Sequence, residues 1–203
     1  MNTSLLWVVV GFLAVTSVGM MLVRDWRWLI ISLSVQYIGV FLLTLQHWPV
    51  GMTAVKVIAG WMSAAVLGMT HSNFIEESES TDRIFPQGRL FRFIAAIMVG
   101  LIVVSGAPLV DTILADAGLT VAAGGLLLIG MGLLHLGVTD RILQVTIGLM
   151  TVLAGFEILY AAVESSILVA ALLAIINLGL ALTGSYLMVG EHAEDTEEAE
   201  TIL

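Results

Sequence analysis

The chain has no cysteine, only three prolines and only seven basic residues among its 203. Without cysteine it forms no disulfide, offers no thiolate to a metal and cannot ligate an iron–sulfur cluster by itself, although this does not identify a compartment. Few prolines leave long stretches in which nothing interrupts a helix. Pro49, Pro86 and Pro108 all fall at or near the ends of apolar runs. Charge is scarce as well. Charged residues make up 11% of the chain and apolar residues 59%, and a water-soluble domain of this size needs far more polar surface. There is no P-loop, dinucleotide fingerprint, metal motif or nucleophile elbow. His71 and His135 lie on no recognisable haem-binding motif. The chain therefore offers no catalytic site of its own, and no cofactor or metal is expected. A net charge of −9 gives no reason to expect nucleic acid as a partner.

What the sequence has is seven apolar stretches, at residues 5–23, 28–46, 51–70, 91–110, 118–137, 142–162 and 167–189. Each approaches the ~20 residues with which a helix crosses about 30 Å of hydrocarbon. In lipid every backbone group must be satisfied internally, so the choice is helices or a closed barrel, and these runs far exceed a barrel strand of ~10 residues. The expected fold is all-α, with seven transmembrane helices. Residues 1–4 lack a basic segment and no small-residue cleavage site follows the first run, so 5–23 reads as a retained span.

The basic residues give an orientation. Arg24 and Arg27 lie in the first gap, Arg83 and Arg89 in the third with Arg92 at its edge, and Arg141 in the fifth. The second, fourth and sixth gaps hold no Lys or Arg. The positive-inside rule then places the N-terminus outside and the C-terminus inside.

These features divide the chain into a three-helix membrane unit at 1–70, an acidic cytoplasmic loop at 71–90, a linker helix and outer turn at 91–117, a second three-helix unit at 118–189 and an acidic cytoplasmic tail at 190–203. The loop holds Glu76, Glu77 and Glu79; the tail holds Glu191, Glu194, Asp195, Glu197, Glu198 and Glu200. Both read as solvated acidic surface, with docking to a basic partner as the functional alternative. The two units look related. Val23-Arg24-Asp25-Trp26-Arg27 and Val138-Thr139-Asp140-Arg141 each make a short turn between two spans, with an Asp near the positive end of the next helix. A 3+1+3 parallel repeat follows from this, a pattern common in transport proteins. Gly124, Gly125, Gly130, Gly132, Gly137, Gly148 and Gly155 contain no GxxxG pair, but Gly148 and Gly155 stand at i, i+7 and predict close helix packing.

Polar residues inside the spans are the functional candidates, because burying them in hydrocarbon is costly. Lys56 lies near the outer end of the third span. It has three readings: a stem that snorkels to the interface, a structural ion pair, or a place on a proton or cation path. Glu157 is its natural partner, at a comparable depth about 24 Å along the sixth span. Glu164 falls at the outer turn and reads as solvated. Gln36, Gln144 and Asn177 are amides suited to bridging helices or holding water. His135, near the inner end of the fifth span, reads as an interface histidine or a proton-entry group. Trp7, Trp26, Trp28, Trp48 and Trp61 read largely as interfacial anchors.

The stretch Leu133-Leu134-His135-Leu136-Gly137-Val138-Thr139-Asp140-Arg141-Ile142-Leu143-Gln144-Val145-Thr146-Ile147-Gly148-Leu149-Met150, with Gly179-Leu180-Ala181-Leu182, resembles the small three-span ion-pump subunits of the NuoK/MrpC type. Over nearly its full length the chain is similar to the hydrogenase-4 component E type, which carries a lysine in its third span, as Lys56 does here. The resemblance implies a non-redox membrane-arm subunit of a complex I-like or hydrogenase-like assembly in a prokaryotic cytoplasmic (inner) membrane. Its partners would be other integral membrane subunits and lipid. It implies a contribution to, or a connection in, proton or sodium translocation, and the buried polar residues Lys56, Glu157, His135, Gln36, Gln144 and Asn177 are the candidates for the ion pathway. Two family glutamates are missing: one position is Met150, and the other falls near Ile175. Glu157 stands one heptad beyond Met150. The alternatives are a stand-alone 3+1+3 small-solute transporter and a structural scaffold subunit.

Overall fold

A computed structural model describes residues 3–23, 25–73, 88–114 and 117–201. Arg24, Arg83 and the acidic loop residues Glu76, Glu77 and Glu79 lie outside the described residues. Seven helices make up the described chain: α1 (Thr3–Leu22), α2 (Trp26–Thr44), α3 (Val50–Ser72), α4 (Arg89–Ile113), α5 (Leu119–Val138), α6 (Ile142–Val163) and α7 (Ile167–Thr201). All seven are long and apolar enough to cross a membrane, and the protein is a multi-pass membrane protein on that ground.

The turns follow from local chemistry. Asp25 caps α2, its carboxylate accepting from the Arg27 backbone N–H at 3.0 Å. The counterpart turn is built differently, because Arg141 and not Asp140 is the N-cap of α6 and makes no side-chain cap bond. Pro49 opens α3 in an extended conformation. Gly118 turns the chain into α5 at φ 96°, a conformation that glycine alone adopts freely, and its N–H donates to Asp111 Oδ1 at 2.8 Å. Pro108 lies inside α4, close to the end of that helix. The structure also extends α7 beyond the expected boundary at Gly190, as a helix to Thr201.

Packing is tightest between α5 and α6. The two antiparallel helices meet backbone to backbone at two glycine pairs. A methyl on Gly155 would sit 2.6 Å from the Gly125 carbonyl oxygen, and one on Gly132 would sit 2.9 Å from that of Gly148. Beyond this hairpin, α1 packs on α5, α2 on α6 and α3 on α7. The shared core holds Leu13, Leu43, Leu128, Ile147 and Met150, all fully buried. Helix α4 is different. It touches α5 and the edge of α1 and leaves Phe91, Ile94, Leu101, Ile102 and Val104 exposed, an apolar face suited to lipid.

The tryptophans divide into two groups. Trp7 and Trp28 are exposed near helix ends, as anchors should be. Trp26 stacks near His71 at 5.2 Å. Two others are not anchors. Trp48 is buried, and its indole N–H donates to the Glu164 carbonyl at 2.8 Å, tying the α2–α3 turn to the α6–α7 turn. Trp61 stands mid-way along α3 and donates to the Ser34 carbonyl of α2 at 3.0 Å. Both give the indole donor to a carbonyl elsewhere in the bundle, Trp48 to the α6–α7 turn and Trp61 to α2, so it is not left to bond headgroups.

Candidate functional site: a buried Lys–Glu pair at the meeting of four helices

Lys56 belongs to an inward seam on α3, Thr53-Lys56-Gly60-Ser63-Leu67, spaced three and four residues apart and buried throughout. On α6 the matching seam is Leu143-Ile147-Met150-Ala154-Glu157-Ala161. The seams bring the charges together. Lys56 Nζ donates to Glu157 Oε1 at 2.5 Å, and each side chain is only 2% exposed. This rules out the snorkelling reading of Lys56, whose ammonium points into the bundle. The depths agree: Lys56 is six residues, or about 9 Å, from the start of α3, and Glu157 is six residues from the end of α6.

A second polar pair lies beside the first. The Tyr37 hydroxyl of α2 donates to Asn177 Oδ1 of α7 at 2.9 Å in a fully buried contact. The Tyr37 ring lies against Gly60, where a methyl would come within 2.5 Å of it. Gly60 thus makes room for the aromatic ring one turn from Lys56. Through that contact the two pairs adjoin as one buried polar cluster. Helices α2, α3, α6 and α7 each contribute one of its members.

The other sequence candidates are placed less uniformly. Gln36 is 1% exposed, and neither its Oε1 nor its Nε2 has a hydrogen-bond partner among the described residues. His135 is buried near the opposite end of the bundle, roughly 17 Å from Glu157 by helix rise, with Nε2 unpartnered among the described residues. Gln144 is half-buried and about 20 Å from Glu157 along α6. Glu164 is exposed and serves through its backbone carbonyl. Among the described residues no three His, Asp or Glu side chains gather as a metal site.

Met150 and Ile175 stand where the resemblance leads one to expect carboxylates. Met150 is fully buried on the same seam as Glu157, so the carboxylate stands one heptad away on one continuous inward face. Ile175 is 67% exposed, so a carboxylate there would face outward, whereas Asn177 is buried two residues on. Sequence reasoning missed Tyr37, Ser17 and Ser63. The available signal was the glycine at position 60 opposite a mid-span tyrosine. The serines gave none, because a serine in a membrane helix commonly bonds back to its own helix.

Comparison with known proteins adds nothing to this geometry: no family model, no curated protein and no solved structure matches the chain.

Proposed function

We propose that this chain is a non-redox membrane-arm subunit of a complex I-like or hydrogenase-like assembly, contributing to or connecting proton or sodium translocation. The single observation that carries the proposal is the buried Lys56–Glu157 pair with Tyr37 and Asn177 around it. A buried ion pair gains little net stability, since desolvation offsets the Coulomb attraction. Ionisable groups inside a membrane bundle therefore mark ion or proton pathways by default. In this reading electron transfer belongs to partner subunits.

The arginines at one end of the bundle support the orientation with the N-terminus outside and the C-terminus inside, and the resemblance to hydrogenase-4 component E supports a prokaryotic cytoplasmic membrane. Helices α1–α3 and α5–α7 lie side by side in the same order, α1 with α5, α2 with α6 and α3 with α7, which supports a 3+1+3 parallel repeat. That pairing also favours a second reading, a stand-alone small-solute transporter. Against it stands the interface between the units, which is filled by Leu13, Leu43 and Leu128. A structural scaffold is the third possibility, supported by the missing family glutamates.

Gentle solubilisation, affinity purification and mass spectrometry separate the readings. The proposal expects a stable complex with redox and other membrane subunits. A lone oligomer that moves a small solute would refute it. In vesicles holding the complex, Lys56→Ala and Glu157→Gln are each expected to lower ion translocation while assembly persists. Full translocation in both, from an intact complex, leaves the scaffold reading.

A further inference from the structure

Seven buried side-chain atoms lack a hydrogen-bond partner among the described residues, and five of them belong to Ser17, Gln36, Arg92 and His135. An unpaired buried polar group is costly and rare, so such a group needs a reason. These four side chains are also arranged in order. Leu13 of α1 seats on Gly39 of α2, where a methyl would come within 2.5 Å of its side chain. From that contact, one turn along α1 leads to Ser17, and three residues back along the antiparallel α2 lead to Gln36. The two therefore stand level, and both are at most 2% exposed. One further turn along α1, the Met21 carbonyl accepts from Arg92 Nη1 at 3.1 Å. Arg92 of α4 and His135 of α5 belong to helices that pack on each other. Arg92 and His135 stand three residues from the arginine-bearing ends of α4 and α5. In the other direction Gln36 lies within about 3 Å of the depth of Glu157, on α2, which packs on α6, and its neighbour Tyr37 lies against Gly60, one turn from Lys56.

We propose that Arg92, His135, Ser17 and Gln36 line a proton path from the arginine-bearing end of the bundle to the Lys56–Glu157 pair, with water bridging successive groups. The proposal rests on the ion-handling reading of that pair and adds the route and the carried species. A buried water needs two to four polar partners, and the unpaired atoms supply them. At each hop one O–H or N–H bond forms as another breaks, and each proton-passing group turns back to its starting state before the next proton arrives. The Ser17 hydroxyl takes one proton and gives one, the His135 ring does so through its two nitrogens, and Gln36 only holds water. A hard metal cation is a poor fit, because it takes several oxygens at once. Here a hydroxyl and an amide oxygen stand between a guanidinium at one end and an ammonium at the other. Ser63 and Ser185, also unpartnered, belong to α3 and α7 and are not members of this route.

Two measurements test the path. The first is proton flux through the whole complex in membrane vesicles, with thermal stability as its companion. Gln36→Leu and Ser17→Ala are each expected to reduce flux about ten-fold, the effect of losing one hydrogen bond along the route. Ser17→Thr should restore it. Gln36→Leu should keep or raise thermal stability, because it removes an unpaired amide. Unchanged flux in Gln36→Leu and Ser17→Ala, in a complex that Glu157→Gln disables, overturns the path and leaves the pair. The second is hydrogen–deuterium exchange at the Lys56 ammonium, followed by infrared spectroscopy on the purified full chain in lipid nanodiscs. Exchange should be fast in the wild type and about ten-fold slower in the Ser17→Ala, Gln36→Leu double variant. Slow exchange in the wild type overturns the path. Fast exchange that depends on Gln36, in a wild-type complex without flux, keeps the path and refutes the translocation reading.

Discussion

Lys56 and Glu157 are each a liability alone and tolerable together. Removing one partner strands a buried charge, which typically costs about 3–5 kcal/mol, whereas replacing both with apolar residues of similar size is often neutral or stabilising. Lys56→Ala is therefore expected to lower the melting temperature sharply, as will Glu157→Leu. The Lys56→Met, Glu157→Leu double variant should recover most of that loss, since the two effects are not additive within one contact. Thermal unfolding in detergent of the four proteins measures the coupling; a double variant as unstable as the two losses added would show that the charges do not depend on each other. The pair was legible in the sequence, because two opposite charges at matching depth on two spans have few other ways to be satisfied. Tyr37 was not. Nothing in the sequence says that a tyrosine hydroxyl on α2 reaches Asn177, 140 positions away, across the bundle.

At the scale of elements, the α5–α6 hairpin is held by shape more than by polar bonds. Gly125 faces Gly155 and Gly132 faces Gly148, so the helices approach to backbone contact. Side chains added there have nowhere to go. Gly155→Val is expected to destabilise the hairpin by at least the ~1–3 kcal/mol typical of overpacking. Gly11→Ala, in open space on α1, should be silent. Equal tolerance of both, measured by expression and melting temperature, would count against the packing account. The i, i+7 spacing of Gly148 and Gly155 signalled a close approach; only the fold named α5 as the partner. Helix α7 gives the opposite lesson. Its 35 residues rise about 52 Å, well beyond the ~30 Å of hydrocarbon, so the acidic segment after Gly190 continues as helix outside the apolar span. Deleting residues 191–203 is expected to leave membrane levels intact, because the unbroken apolar run of α7 is complete by Gly190. A chain lost from the membrane fraction would assign that extension a role in insertion or assembly.

For the whole molecule, topology is the feature most open to direct measurement. The natural chain has no cysteine, so single cysteines report without background. Asn73→Cys and Ser165→Cys sit at opposite ends of the bundle. Asn73→Cys should react only with reagent on the cytoplasmic side, and Ser165→Cys only with reagent outside. The reverse pattern would invert the orientation and the direction of the proposed path. Stability at this scale comes from two units sharing one core, with α1 on α5, α2 on α6 and α3 on α7, while α4 lies along the edge with most of its surface toward lipid.

The number of spans, their boundaries to within a few residues and the short list of buried charges came from the sequence alone. Hydrocarbon imposes length and polarity limits that each segment meets by itself, whatever its neighbours do. Side-chain periodicity could also say which residues share a face. What each face meets was decided only by the tertiary structure. Trp48 and Trp61 found carbonyls on other helices, Gln36 and Ser17 came level without partners, and Lys56 turned inward. The physical reason is that lipid treats all apolar helix surfaces nearly alike. The choice of partner helix therefore rests on shape and on a few hydrogen bonds between segments far apart in the chain.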